Sequence, residues 1–210
     1  MKINYQKVME NTIKGFNGEK KKLLIHSCCA PCSSYVLEYL QDYFEITVMF
    51  YNPNMIDEEE FEKRYEEQVK INAAMREEIN LVKIPYQPEA FYKAVKGLEH
   101  IPEGGLRCKA CFGLRLNEAA IYASEHGIEY FTTTLSISPL KNSSVLNELG
   151  QEIGEAHDVK YLVSDFKKKN GYKRSVELSK ENSLYRQEYC GCIYSKVERE
   201  NQIKENEKMT

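Results

Sequence analysis

The seven cysteines of this 210-residue chain lie in three tight groups and nowhere else. The first reads His26-Ser27-Cys28-Cys29-Ala30-Pro31-Cys32, the second Arg107-Cys108-Lys109-Ala110-Cys111, the third Tyr189-Cys190-Gly191-Cys192. Thiolates gathered in this way hold soft metals. For the groups to act together, three widely separated segments must reach one place. That requirement narrows the folds open to the chain.

Crosslinks are not needed for stability, because a chain this long buries on the order of 70% of its surface. The start, Met1-Lys2-Ile3-Asn4-Tyr5-Gln6-Lys7, lacks the apolar core of a signal peptide, and no apolar run approaches the roughly 20 residues of a membrane span. The expected setting is a reducing cytoplasm without membrane contact, where clustered cysteines favour metal or redox chemistry over disulfides. With 29 basic and 32 acidic residues the net charge is −3, so the balance gives no global case for nucleic acid. The run Phe166-Lys167-Lys168-Lys169-Asn170-Gly171-Tyr172-Lys173-Arg174 is locally basic, and reads either as a solvated loop or as a phosphate contact.

Short apolar runs alternate with amphipathic stretches. Strands are predicted over 22–26, 45–51, 81–84, 130–135 and 160–163. Phe61, Tyr65, Val69 and Ala73 recur every four residues and predict a helix, with Asp57 as its cap and Glu60 three residues on. Further helices are expected near Ser33, at Cys108 with Gly127 as the stop, and at Ser143-Ser144. This alternation predicts an α/β fold, one doubly wound, mostly parallel sheet flanked by helices, with the cysteines at the carboxyl ends of the strands. Residues 1–210 read as a single catalytic domain, with 1–20 an N-terminal extension and 198–210 a charged tail.

The sulfur count goes further. A zinc site or a cubane iron–sulfur cluster takes four protein ligands, which leaves three of the seven cysteines. Three ligands with one open position describe a catalytic metal. Adjacent side chains on extended backbone point to opposite sides, so Cys28 and Cys29 are expected to serve two neighbouring metals rather than one. The alternatives are a single four-cysteine zinc site with three bystander thiols, or a metal-free thiol relay. His26 is the histidine near a cluster, and its place in the first strand favours a packed core residue over a ligand.

The cysteine groups occur in order with Tyr51-Asn52-Pro53-Asn54, with Thr132-Thr133-Thr134-Leu135-Ser136-Ile137-Ser138-Pro139-Leu140-Lys141-Asn142, and with Tyr185-Arg186-Gln187-Glu188 before Tyr189. In these motifs, from about Lys22 to about Glu198, the chain closely resembles the cobalamin-independent epoxyqueuosine reductases, the QueH family. The resemblance implies a sheet like that of the adenine-nucleotide α-hydrolases (HUP-like), with metals in place of the nucleotide. It implies reduction of the epoxide of epoxyqueuosine to the alkene of queuosine, at the wobble base of tRNAs for Asp, Asn, His and Tyr. It implies a [4Fe–4S] cluster, assigned to Cys29, Cys108, Cys111 and Cys190, beside a second, mononuclear iron on Cys28, Cys32 and Cys192. Cys32 stands where some members carry aspartate.

Removing the epoxide oxygen consumes two electrons and two protons. Asp165, Tyr189 and His26 are the candidate proton donors. Tyr185, Arg186 and Tyr189 are candidates to hold the base, while Lys141, Lys167, Lys168, Lys169, Lys173 and Arg174 are candidates for tRNA phosphates. Ferredoxin or flavodoxin is the expected electron donor. A zinc-stabilised RNA-binding module and an iron–sulfur oxidoreductase acting on a small molecule are the other readings. The oligomeric state is not encoded in these motifs.

Overall fold

Five short apolar runs assemble into one all-parallel sheet in the order β3-β2-β1-β4-β5. The structure, a computed structural model, describes residues 3–208. The strands are β1 (Lys21–Ser27), β2 (Phe44–Phe50), β3 (Asn80–Lys83), β4 (Tyr130–Thr133) and β5 (Lys160–Tyr161). β1 is central, in register with β2 from Lys21↔Phe44 to Ser27↔Phe50 and with β4 from Leu23↔Tyr130 to His26↔Thr133. Its residues from Leu23 to Ser27 are all buried, the continuous pattern of a strand covered on both faces.

The helices are α1 (Tyr5–Lys14), α2 (Ala30–Leu40), α3 (Glu58–Ala73), α4 (Pro88–Ala94), α5 (Leu106–Glu125), α6 (Ser143–His157), α7 (Gly171–Glu181) and α8 (Ile193–Lys208). Leu23 and Ile25 enter an apolar layer with Val36, Leu37 and Leu40 of α2. Leu24, from the opposite face of the strand, enters a second layer with Leu116 and Ala119 of α5 and Leu146 of α6. The sheet therefore has its own core on each side. None of the helices among the described residues is long and apolar enough to cross a membrane.

From β1 the chain proceeds to β2 and β3 on one side, then crosses to β4 and β5 on the other. The carboxyl ends of β1 and β4 thus flank a topological switch point, the crevice where open α/β sheets bind ligands. The Cys28 N–H donates across it to Thr134 Oγ1 at 3.4 Å.

The α/β class and parallel sheet are as expected, and three local features differ. β4 stops at Thr133 because its hydroxyl accepts the Leu135 N–H at 3.2 Å and starts a 3-10 turn over Thr134–Ile137. β5 shrinks to two residues, although Leu162 N–H still reaches Phe131 O at 2.8 Å. Asp57 caps α3 as predicted, accepting the Glu60 N–H at 2.8 Å, but the buried face of α3 is not the predicted stripe. It comprises Phe61, Arg64, Gln68, Ile71 and Asn72, with Val69 and Ala73 exposed. A strict four-residue spacing drifts about 40° per step around a helix, away from the core. The N-terminal extension packs onto the sheet. Met9 of α1 is fully buried, and Phe16 packs on Phe44 and Tyr130 with ring centroids 5.4 Å apart in each pair.

The α6–β5 corner tests the packing. A Cβ at Gly154 would lie 2.5 Å from the Val159 carbonyl oxygen, whereas one at Gly113 in α5 meets nothing within 4 Å. Chemical denaturation of the metal-free chain should show Gly154→Ala destabilising by about 2 kcal/mol. Gly113→Ala should be neutral or stabilising by up to about 1 kcal/mol.

Candidate metal centre

β1 ends at Ser27, and within two residues the chain is capping α2. Cys29 is the N-cap, extended at φ −175° and ψ 156°, and Pro31 occupies the first turn, where a missing N–H costs nothing. The turn brings Cys28, Cys29 and Cys32 to one side, with all three Sγ atoms within 4.8 Å of one another. Cys28 and Cys29 Sγ are 3.8 Å apart. The expected divergence of the adjacent pair is therefore not found. Opposite-side geometry belongs to a continuing strand, and Cys28 has already left it. The triad, seated at a helix N-terminus, favours an anion. Hydrogen bonds from the Cys29 and Cys32 thiols hold Cys28 well below the usual thiol range despite its burial. Donating to Cys28, with burial added, pushes Cys29 up to about 12 and raises Cys32 as well.

The second group opens α5. Cys108 Sγ accepts the Gly104 N–H at 3.3 Å. Cys111, one turn on, is buried with Phe91, Val95 and Cys192, and that burial pushes its thiol up to about 12. The third group is shaped by Gly191, at φ +118°. A Cβ there would lie 3.0 Å from Arg64 Nη1 and 3.1 Å from Met55 Sδ. Glycine lets the backbone settle onto Arg64, whose Nη1 donates to Cys190 O at 3.2 Å. Cys192 Sγ accepts the Ser195 N–H at 3.4 Å at the start of α8.

A cleft of about 800 Å³ opens over this edge, lined by Cys28, Cys29, Cys32 and Cys190 among others. Cys108 and Cys190 share a smaller recess of about 270 Å³ with Leu106, Phe112 and Leu140. All seven cysteines are free thiols. Arg64, Arg107, Arg115 and Lys141 are among the cations beside them. Arg64 and Arg115 are each 1% exposed. Arg64 Nε donates to Glu60 Oε1 at 2.6 Å, and Arg115 Nη1 donates to Asn52 Oδ1 at 3.1 Å. Half-buried Lys141 has a raised pKa, because Cys190, Cys28 and Cys32 together outweigh the opposing cost of burial. The arginines were missed in the sequence. The signal for one was present in the Cys108, Cys111, Arg115 spacing, which puts all three on one helix face.

The other expected site residues separate into two sets. Lys141, Arg186 and Tyr189 line the cleft. Arg186 Nη2 donates to Tyr172 Oη at 3.2 Å, and burial raises the pKa of Tyr189. Asp165, Arg174 and Tyr185 are not among the residues lining it. Asp165 is paired with Lys167 at 3.0 Å. Arg174 binds Glu38 through Nε at 3.0 Å and Nη2 at 2.7 Å, and Glu181 at 2.7 Å, so its donors are occupied. The Tyr185 ring lies under Lys63, whose Nζ is 3.6 Å from the centroid. In the basic run Lys169 pairs with Glu10, while Lys168 and Lys173 are exposed. His26 is a core residue: its Nε2 bonds the Tyr51 carbonyl at 3.0 Å and its Nδ1 meets Thr133 Oγ1 at 2.9 Å. Since a carbonyl only accepts, Nε2 carries the proton. Burial lowers its pKa to about 3, so the ring is neutral and is no proton reservoir near neutral pH.

The family model described as "Epoxyqueuosine reductase QueH" matches residues 23–198, a span that contains all seven cysteines. The chain belongs to the epoxyqueuosine reductase QueH family. Its QueH relatives include the Staphylococcus epidermidis protein, 43% identical over 92% of this chain and 85% of that one. The Streptococcus pyogenes serotype M1 protein is 44% identical over 92% of this chain and 78% of its own, and the Thermotoga maritima protein 38% over 84% and 91%. Each of the three carries the name epoxyqueuosine reductase QueH, which marks the family as one of oxidoreductases. The donor set in this QueH chain would suit an anionic iron–sulfur group, since the Cys28-Cys29-Cys32 triad shares a cleft with Cys190 and the buried Arg115 carries an uncompensated positive charge.

The fit of Gly191 against Arg64 gives a direct test. Gly191→Ala should lower the thermal midpoint of the metal-free chain and reduce the iron retained per chain on anaerobic reconstitution. Gly18→Ala, also at positive φ but with nothing within 4 Å of the added Cβ, should leave iron retention unchanged.

Proposed function

We propose that this chain reduces epoxyqueuosine to queuosine at the wobble position of tRNAs for Asp, Asn, His and Tyr, as an iron–sulfur enzyme of the cytoplasm. The observation that carries the reading is that the Cys28-Cys29-Cys32 triad and Cys190 line one open cleft at the switch point of the sheet, with Cys190 also sharing a recess with Cys108. Family membership supports the substrate. A [4Fe–4S] cluster held by Cys29, Cys108, Cys111 and Cys190 would supply electrons singly, and a second iron held by Cys28, Cys32 and Cys192 would supply a Lewis acid.

The protein's own groups do the rest. The cleft admits a base extruded from the anticodon stack, and Arg186 on its rim, 5.5 Å from the Tyr172 ring centroid, offers a planar surface for it. Lys141 brings a positive charge to the same wall for the phosphate backbone. Tyr189 lines the cleft as a phenol kept protonated by burial, and donates a proton as the oxygen leaves. Asp165 acts at a distance, holding Lys167, whose Nζ donates to Ser136 O at 2.8 Å and Lys141 O at 3.3 Å and so fixes the loop that carries Lys141. Reduced ferredoxin or flavodoxin provides the two electrons.

A second division of the thiols is favoured by the 4.8 Å triad: Cys28, Cys29 and Cys32 on the single iron, with Cys108, Cys111, Cys190 and Cys192 on the cluster. Cys29→Ala separates the two. Loss of acid-labile sulfide together with iron places Cys29 on the cluster, and loss of one iron with sulfide retained places it in the triad.

Deleting the gene, in cells without a second reductase, should leave epoxyqueuosine in place of queuosine when tRNA is digested and its nucleosides are analysed. Tyr189→Phe should retain full iron and sulfide and slow single-turnover reduction about a hundredfold or more. Unchanged queuosine in the deletion strain would reject the function, as would a colourless anaerobic protein holding a single zinc.

A further inference from the structure

Arg115 lies one helical turn beyond Cys111 and two beyond Cys108 on the same face of α5. Its side chain is 1% exposed. One donor, Nη1, is spent on Asn52 Oδ1. Among the described residues its Nε and Nη2 have no hydrogen-bond partner. Burial opposes its charge, and the groups that outweigh burial are the thiols of Cys111, Cys190, Cys28 and Cys108, drawn from all three cysteine groups. A buried guanidinium with two open donors is costly unless a charged acceptor completes it. Arg64 differs, because Glu60 already pairs with it.

We propose that Arg115 is a positioning and charge-balancing residue for the thiolate-bound iron–sulfur group: its guanidinium offsets the negative charge of the loaded site, and its two open donors serve that group's sulfur atoms. The proposal rests on the iron–sulfur reading above. On reduction the bound group takes one electron from an external reductant and becomes one unit more negative, with no covalent bond made or broken in the protein. A fixed cation stabilises that reduced form, so Arg115 holds the reduction potential up.

The test is a potentiometric titration, with dithionite as reductant and paramagnetic resonance as readout, on the reconstituted full chain, Arg115→Lys and Arg115→Gln. Iron and sulfide per chain are measured on the same samples, and thermal midpoints on the metal-free proteins. Arg115→Gln should shift the reduction equilibrium at least tenfold toward the oxidised form, about 59 mV more negative for one electron. Arg115→Lys, which keeps the charge but not the fork, should lie between. Metal-free Arg115→Gln should melt near the unaltered chain, because removing an unbalanced buried cation offsets the loss of its hydrogen bond to Asn52. Poor cluster retention by Arg115→Gln with that melting point kept would also support the role. Equal potentials in all three loaded proteins would overturn it, and so would a metal-free Arg115→Gln that melts well below the unaltered chain. An unaltered chain that takes up no iron or sulfide would instead defeat the iron–sulfur reading itself, and the charge-balancing role with it.

Discussion

The side-chain amide of Asn52 holds the cysteine-bearing segments in place. Its Nδ2 donates to Ser27 O at 2.9 Å, at the last residue of β1, and its Oδ1 accepts from Arg115 on α5 at 3.1 Å. One buried group thus ties the strand end that launches the first cysteine triad to the helix that carries the second pair. Gln68 makes the companion link from α3. Its Oε1 accepts from Ser27 Oγ at 2.7 Å and Ser33 Oγ at 2.9 Å, on both sides of the triad. Arg64, one turn earlier on α3, reaches the third group through Cys190 O. These residues form a buried polar layer linking the segments that carry the cysteines.

Such a layer is expensive to bury unless its groups are paired, and most of them are. The serines, the Asn52 amide and the Gln68 amide are all matched by protein partners, Gln68 Nε2 donating to Asn72 Oδ1 at 2.7 Å. A satisfied hydrogen bond contributes only about 1 kcal/mol net, but an unmatched buried donor costs as much or more. The layer therefore specifies geometry more than it adds stability. The two apolar layers on either side of the sheet supply the stability.

Much of the architecture was legible because hydrophobic runs and turn residues report local structure. The strand positions, the Asp57 cap and the Gly127 stop, at φ +61°, follow from that rule. The cysteine spacing pointed to the edge where the thiols of Cys28, Cys29 and Cys32 gather. Two kinds of information were not local. The α3 stripe misread which face was buried, because Arg64, Gln68 and Asn72 face inward for polar reasons that an apolar pattern cannot register. Arg174 looked like a phosphate contact in sequence, yet Glu38, 136 residues away in the chain, occupies its donors. Partners set by tertiary contact decide which charges are free, and no spacing reveals them.

The double-sided core also bears on how the centre comes into being. Small zinc modules fold around their metal, so that binding and folding are one event. Here each face of the sheet has its own apolar layer, and folding need not wait for metal. A metal taken up by the thiols would then enter a finished vessel. Cys28, Cys29, Cys32 and Cys190 are reached from the open cleft, whereas Cys111 and Cys192 lie deeper, among Phe91 and Val95. Over them α8 is pinned by Glu198 to Arg107 at 2.7 Å. Glu198 also accepts the Glu103 N–H at 3.0 Å, and Tyr194 of α8 packs against Phe91 with ring centroids 6.2 Å apart, so the way to the deep thiols runs through the edge of one helix rather than through the sheet.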